Sequence, residues 1–222
     1  MGMSPWSLLE EVNMTKCAIL GASGHGKVIA EIAELNGFKQ IDFFDDRWPQ
    51  TLQLEHWHII GDTDSLLSCI QRYDLVVIAI GDNAIRLQKQ QELMQVGGNF
   101  GVLVHPSAVV SAYSVLDIGT VVMANAVVNP FAEIGKACIV NTAATIDHDC
   151  VVADGVHLSP GANLAGGVKV GTLSWIGIGA SVKQLVSIGN NAVVGAGAAV
   201  LMNVSDNQTV VGVPAKPISR KG

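Results

Sequence analysis

The sequence predicts two domains of different class: a small α/β domain on a parallel sheet (residues 16–103), then an all-β domain coiled as a parallel β-helix (residues 104–222). Three observations predict this. In the first half, apolar segments of strand length alternate with helical segments, the pattern of a parallel sheet covered by helices. From Val104 to Val200 every sixth residue is Val, Leu or Ile, seventeen positions in succession. The fifth residue of each of these hexads, from Ala108 to Val204, is Ala, Ser, Thr, Cys or Val. A sustained period of six is the signature of a parallel β-helix.

The elements follow in order. Residues 1–15, MGMSPWSLLEEVNMT, read as an extension with a short helical stretch capped by Ser4 and opened by Pro5. Its acids stand where a signal peptide has basic residues, and it lacks the Ser or Thr of a myristoylation motif. KCAIL (16–20) is a buried strand. GASGHGKVIAEIAELNG is a glycine-rich turn into an amphipathic helix that ends near Gly37. QIDFFDD is a second strand ending in Asp45 and Asp46, WHIIGDTDSLLSCI a short strand and a capped helix, and YDLVVIAIGDNAIRLQKQQELMQVGG a strand, turn and helix. FGVLVHP leads into the repeat.

Each hexad is a short strand plus a corner. The aliphatic first residue points inward and the small fifth residue fits where the wall turns. Three hexads close one coil, so each side chain stacks on its equivalent 18 positions along the chain. Gly119, Gly135, Gly155, Gly171 and Gly189 are expected at corners of positive φ. Cys138 and Cys150 fall on inward fifth positions, where they serve as small hydrophobes.

The totals exclude several classes. A formal charge of -6 lacks the basic face that nucleic acid requires. Mean hydropathy is +0.40, yet the longest apolar run, LVVIAIG at 75–81, has strand length, so no membrane insertion is expected. The four cysteines form no CxxC pair, which points to a reduced, cytoplasmic setting.

Two regions carry chemistry. The turn G-A-S-G-H-G (21–26) is not the GxGxxG dinucleotide fingerprint, but a glycine turn from strand to helix presents amides and the positive helix end to a phosphate. Asp45 and Asp46, at the end of the next strand, are placed to accept ribose hydroxyls. Gly81 ends the later strand at the same carboxyl edge of the sheet. A plain tight turn explains the glycines equally well. In the repeat, His148 stands between Asp147 and Asp149, at the third position of its hexad and therefore pointing out. Such a histidine is either solvated or a base, with an acid on its far ring nitrogen to fix the tautomer.

Taken together, GASGHG (21–26), FDD (44–46), AIGDNAIR (79–86), NTAATIDHDCVVADGVHLSPGA (141–162) and VGVPAK (211–216) resemble the bacterial nucleotide-sugar acetyltransferases of the bacillosamine-pathway and sialic-acid O-acetyltransferase group, within the hexapeptide-repeat acyltransferases. The resemblance spans roughly residues 16–217. It implies a Rossmann-like first domain and a left-handed β-helix, against the usual right-handed crossover. It also implies a homotrimer with acetyl-CoA as co-substrate along the seam between helices, and no metal. The nucleotide would sit on Ser23, Gly24, His25, Asp45, Asp46 and Gly81. His148 would be the catalytic base and Asp149 its acidic partner, while His157, Ile178 and Ala196 would contact acetyl-CoA. Asp149 stands where a close relative type has Glu, and Ala196 where Gly can occur.

The expected activity is N-acetylation of the 4-amino group of a UDP-linked 4-amino-4,6-dideoxy sugar, for surface glycan or glycoprotein synthesis. The enzyme alternative is a sialic-acid O-acetyltransferase. Of other classes, a non-catalytic nucleotide-sugar scaffold would not need the His148–Asp149 pair. A zinc carbonic-anhydrase-like site needs three ligands, and the repeat offers His148, His157 and, at its entrance, His105. The pair His56 and His58 reads as surface or partner contacts.

Overall fold

The computed structural model describes residues 16–218; the expected helical stretch at Ser4 and Pro5 lies outside the described residues. Two compact units divide between Pro106 and Ser107. The first unit has β1 (Lys16–Leu20), α1 (Gly24–Leu35), β2 (Gln40–Phe44), β3 (Gln53–Leu54), β4 (Trp57–Gly61), α2 (Thr63–Cys69), β5 (Leu75–Ile78) and α3 (Asn83–Gln95).

The sheet order is β3-β4-β2-β1-β5. Strands β1, β2, β4 and β5 run parallel, as the alternation predicts. The short β3, which the sequence reading did not separate, adds an antiparallel edge to β4. The core is β1 and β5, buried on both faces, against Ile29, Ala30, Ile32 and Ala33 of α1. Helices α2 and α3 start at aspartate caps: Asp62 accepts from the Ser65 amide at 2.8 Å and Asp82 from the Ile85 amide at 2.9 Å. From β1 the chain runs outward on one side through β2 to β4, then crosses back to β5 on the other side of β1. The crevice beyond the carboxyl ends of β1 and β5 is therefore the switch point where such sheets bind ligands.

The second unit is a β-helix. Two-residue strands stack in parallel with an 18-residue register, Val127↔Thr145↔Asn163↔Ser181 on one face and Ile139↔His157↔Trp175↔Val193 on another. The hexad reading holds from Ser114 to Val200, while Val104, Ala108 and Val110 in the opening hexads are only half-buried. Every first position from Leu116 to Val200 and every fifth position from Ser114 to Ala198 is buried. Cys138 and Cys150 are both at 0% exposure among them. Stacked coils bury an aliphatic column that a single coil would leave wet.

Two expectations are corrected. Positive φ falls on the fourth hexad position, from Gly119 to Gly197 at +50 to +74°, and includes Gly155 but not Gly135, Gly171 or Gly189. Those three glycines answer to close packing instead. A Cβ on Gly171 would lie 2.6 Å from the Asn190 nitrogen of the next coil. The second correction is at the end of the repeat. Val204 bridges Ile188 and Val193 pairs Thr209, so the last coil is two residues short and Val204 aligns with a first position, not a fifth. The strand Thr209–Val211 then pairs antiparallel with Lys216–Ile218.

Candidate active site

His148 follows the inward Ile146 and lies on a corner of the β-helix, its side chain 60% exposed. The next residue, Asp149, is in the left-handed region at φ +60°, a conformation that Asp and Asn adopt more readily than most side chains. That turn brings the two neighbouring side chains together: Asp149 Oδ2 is 2.7 Å from His148 Nδ1. Asp147 braces the same corner. Its Oδ1 accepts the main-chain N–H of His148 at 2.8 Å and the Asn129 side chain, one coil earlier, at 2.8 Å. The Asp149 hydrogen bond, then the charge of Asp147, raise the His148 pKa above its ordinary value. With Nδ1 donating to Asp149, the neutral ring presents Nε2 as a proton acceptor.

Gly166 lies one coil beyond His148, under the imidazole. A Cβ there would be 2.6 Å from both Cε1 and Nε2 of the ring. Real Cβ atoms do not come that close, so the ring rests where a side chain is missing. Sequence reasoning missed Gly166 and Asn129, although the 18-residue period points to both: 148 and 166, 129 and 147 are one coil apart.

The expected acetyl-CoA contacts are elsewhere. His157 is on the Ile139–Trp175 face, 8% exposed, with Nε2 3.1 Å from the Asn141 side-chain nitrogen. Its ring lies against Trp175, centroids 4.6 Å apart, and Trp175 donates to Ser159 at 2.8 Å. Ile178 and Ala196 stack one coil apart on the corner after that face and are both exposed. His148 is on the following corner. One chain therefore carries His148–Asp149 and the His157, Ile178 and Ala196 set on different parts of its surface.

In the first unit, the turn after β1 is pinned by Gly21. Its φ is +112°, and a Cβ there would meet the Ala79 carbonyl oxygen at 2.8 Å. Ser23 and Gly24 are exposed at the start of α1, where N–H groups have no partner within the helix. A Cβ at Gly24 or Gly81 would meet nothing within 4 Å, so both leave open space above the carboxyl edge. His25 is turned inward, its Nε2 buried without a hydrogen-bond partner. Burial and the nearby Arg86 guanidinium push its pKa down to about 4, so it is neutral near pH 7. Arg86 itself is 2% exposed and donates to the carbonyls of Ile80 and Gly81. Asp45 bonds the Ala22 amide and Arg47, which holds its carboxyl down at about 2. Asp46 accepts from the Thr63 amide at 3.0 Å and hydroxyl at 2.7 Å. Strand β2 ends at Phe44, so both aspartates belong to the turn that follows. Among the described residues there is no group of three or more His, Cys, Asp or Glu that could share a metal ion, and no helix long and apolar enough to cross a membrane.

Comparison with known proteins adds to this geometry. Residues 16–93 match the PglD N-terminal domain family. The chain is 37% identical over 117 residues to UDP-N-acetylbacillosamine N-acetyltransferase of Bacillus subtilis (strain 168). That match covers 50% of this chain and 52% of the relative, so the chain spans about half the length of this curated protein. Solved structures match far more fully. The acetyltransferase domain of PglB from Neisseria gonorrhoeae FA1090, in complex with acetyl coenzyme A, is 41% identical with a TM-score of 0.88, covering 91% of this chain and 98% of that one. A mutant of perosamine N-acetyltransferase from Caulobacter crescentus, in complex with CoA and GDP-perosamine, is 34% identical with a TM-score of 0.88, covering 93% and 98%. A parallel α/β unit followed by hexad coils, at these identities and over nearly the whole described chain, makes this protein a member of the hexapeptide-repeat sugar N-acetyltransferase family.

Proposed function

We propose that the protein transfers the acetyl group of acetyl-CoA to the 4-amino group of a UDP-linked 4-amino-4,6-dideoxy sugar, with His148 as general base, in bacterial glycan or glycoprotein synthesis. The observation that carries the reading is the 2.7 Å contact between Asp149 and His148 Nδ1 on an exposed corner. It leaves Nε2 free to take a proton. The neutral amine attacks the thioester carbonyl carbon, and His148 accepts the amine proton as the C–N bond forms. Collapse of the tetrahedral intermediate breaks the C–S bond, and the imidazolium returns its proton to the departing CoA sulfur. Ser23, Gly24, His25, Asp45, Asp46 and Gly81 form the nucleotide end; His157, Ile178 and Ala196 contact acetyl-CoA. No metal takes part.

The separation of His148 from the acetyl-CoA set within one chain supports a homotrimer, in which the acyl donor on one copy faces His148 of the next. The organism's cytoplasm supplies both substrates. The test is release of free CoA with UDP-, GDP- and dTDP-linked 4-amino sugars, and with sialic acid, as acceptors. Turnover should be fastest with the UDP-linked amine. CoA release with sialic acid alone would replace N-acetylation by O-acetylation.

A pH profile tests the base directly. His148 must be neutral to act, and its pKa is raised, so kcat/KM should fall as pH drops through a midpoint above the ordinary histidine value of ~6.5. Asp149→Asn keeps a residue that tolerates the left-handed turn but removes the main cause of that shift. Its midpoint should move to lower pH, with a lower plateau because the tautomer is no longer held. An unmoved midpoint would show that Asp149 does not act on the catalytic group.

A further inference from the structure

Ala22 sits in the middle of the turn between β1 and α1, 4% exposed, where neither the strand ladder nor the helix can bond its peptide groups. Both groups are nevertheless satisfied, and by one pair of side chains. The Ala22 N–H donates to Asp45 Oδ2 at 2.8 Å. The Ala22 carbonyl accepts from Arg47 Nη2 at 2.6 Å. Arg47 closes the circuit: Nη2 donates to Asp45 Oδ2 at 2.9 Å, Nε to Oδ1 at 2.7 Å, and its main-chain N–H to Oδ1 at 3.0 Å. Each oxygen of Asp45 thus takes two donors. A carboxylate has about four acceptor sites, so all are filled without a ligand.

We propose that Arg47 is a positioning residue of the nucleotide end, acting through Asp45 and Ala22. The pair grips the Ala22 peptide from both sides, and so fixes the orientation of the next residues, Ser23 and Gly24, whose amides open α1. Asp45 then serves the nucleotide by shaping the turn rather than by offering a vacant oxygen to the ribose. The geometry needs arginine. Its planar fork bonds both carboxylate oxygens and has a further N–H for the carbonyl, whereas lysine has one nitrogen and no fork. Arg47 is 59% exposed and lies in the turn after β2, outside the buried strands of the sheet, so its loss should cost stability at that turn rather than in the core. Its loss should therefore leave a folded protein.

The inference rests on the reading that the glycine turn holds the nucleotide. Arg47→Gln, Arg47→Lys, Asp45→Asn and the double variant Asp45→Asn/Arg47→Gln are compared with the unaltered protein. Binding of UDP and GDP is measured by calorimetry, and KM, kcat and melting temperature are followed in parallel. Both Arg47 variants should raise the nucleotide-sugar KM about tenfold, because charge-assisted bonds are lost. The kcat and the KM for acetyl-CoA should stay within about twofold, with a modest fall in melting temperature and the protein still folded at the assay temperature. The double variant should be no worse than the poorer single one, since both remove the same clamp. Rescue by lysine would mean that charge alone attracts the diphosphate, and would overturn the clamp. So would additive losses, an equal rise in the acetyl-CoA KM, or unchanged UDP and GDP affinity in Arg47→Gln. If the unaltered protein binds neither UDP nor GDP, the nucleotide reading itself fails, and the role of Arg47 with it.

Discussion

His148→Ala is expected to lose about 10²–10⁴-fold in kcat, the usual cost of removing a positioned general base, while both substrates still bind. The variant should fold normally. The side chain is 60% exposed and contributes no buried surface to the aliphatic column of the β-helix. Its ring bonds Asp149, which is itself 64% exposed and returns to water without penalty when the partner is gone. Asp149→Asn should lose less, because the imidazole remains although its tautomer is no longer selected. Combining the two should cost no more than His148→Ala alone, since an aspartate that acts only through the imidazole has nothing to act on once it is removed. The measurements are kcat at saturation and calorimetric affinities for acetyl-CoA and for the nucleotide sugar. Near-wild-type kcat in His148→Ala would remove the general-base assignment. A loss of activity that tracks a loss of acetyl-CoA binding would reassign His148 to substrate binding.

The second large effect is expected from a residue with no functional group. Gly166→Ala should lower kcat about 100-fold, the scale at which a misplacement of ~1 Å reduces turnover. The added Cβ would lie 2.6 Å from Cε1 and Nε2 of His148 and 3.3 Å from Nδ1. One of two things must move. The coil is held by the inter-coil ladder, in which Gly167 donates to the His148 carbonyl at 2.9 Å and Leu185 to the Gly166 carbonyl at 3.0 Å. The imidazole is held by the single bond to Asp149, so the ring gives way. Once it tilts, that bond weakens and the main cause of the raised pKa is lost. Titration of the His148 ring by NMR should therefore show a lower midpoint in Gly166→Ala. Full activity with an unmoved titration would show that the ring does not depend on the space above Gly166.

The β-helix was legible because its physics is linear in the chain. A coil of three hexads places each residue on its equivalent 18 positions away, so burial at Val128, Ile146, Leu164 and Val182 follows from period alone. The same holds for Cys138 and Cys150, whose inward position needs no knowledge of neighbours. In the first unit, the alternation of apolar strands and capped helices determined the parallel sheet, and Asp62 and Asp82 mark helix starts by local bonds alone. Adjacency at a corner made Asp149 a candidate partner of His148, but the contact itself depends on the left-handed turn at Asp149.

The tertiary structure decided what depends on distance across the stack or the sheet. Gly135, Gly171 and Gly189 look like turn glycines, because composition reports backbone preference; they are glycines because the next coil leaves no room for a Cβ. The last coil is shortened by two residues, which no aliphatic pattern reveals while Val204 satisfies either register. Arg47 is two residues from Asp45 in the chain, but its bond to Ala22, 25 positions away, exists only because β2 pairs with β1 and brings the two turns to one edge. Sequence by itself determined the period, the inward faces and the order of elements, since each rests on interactions between residues a fixed number apart. Which surfaces approach to within a hydrogen bond or a missing methyl group was decided by strand order and coil stacking, and these set the geometry around His148 and Ala22.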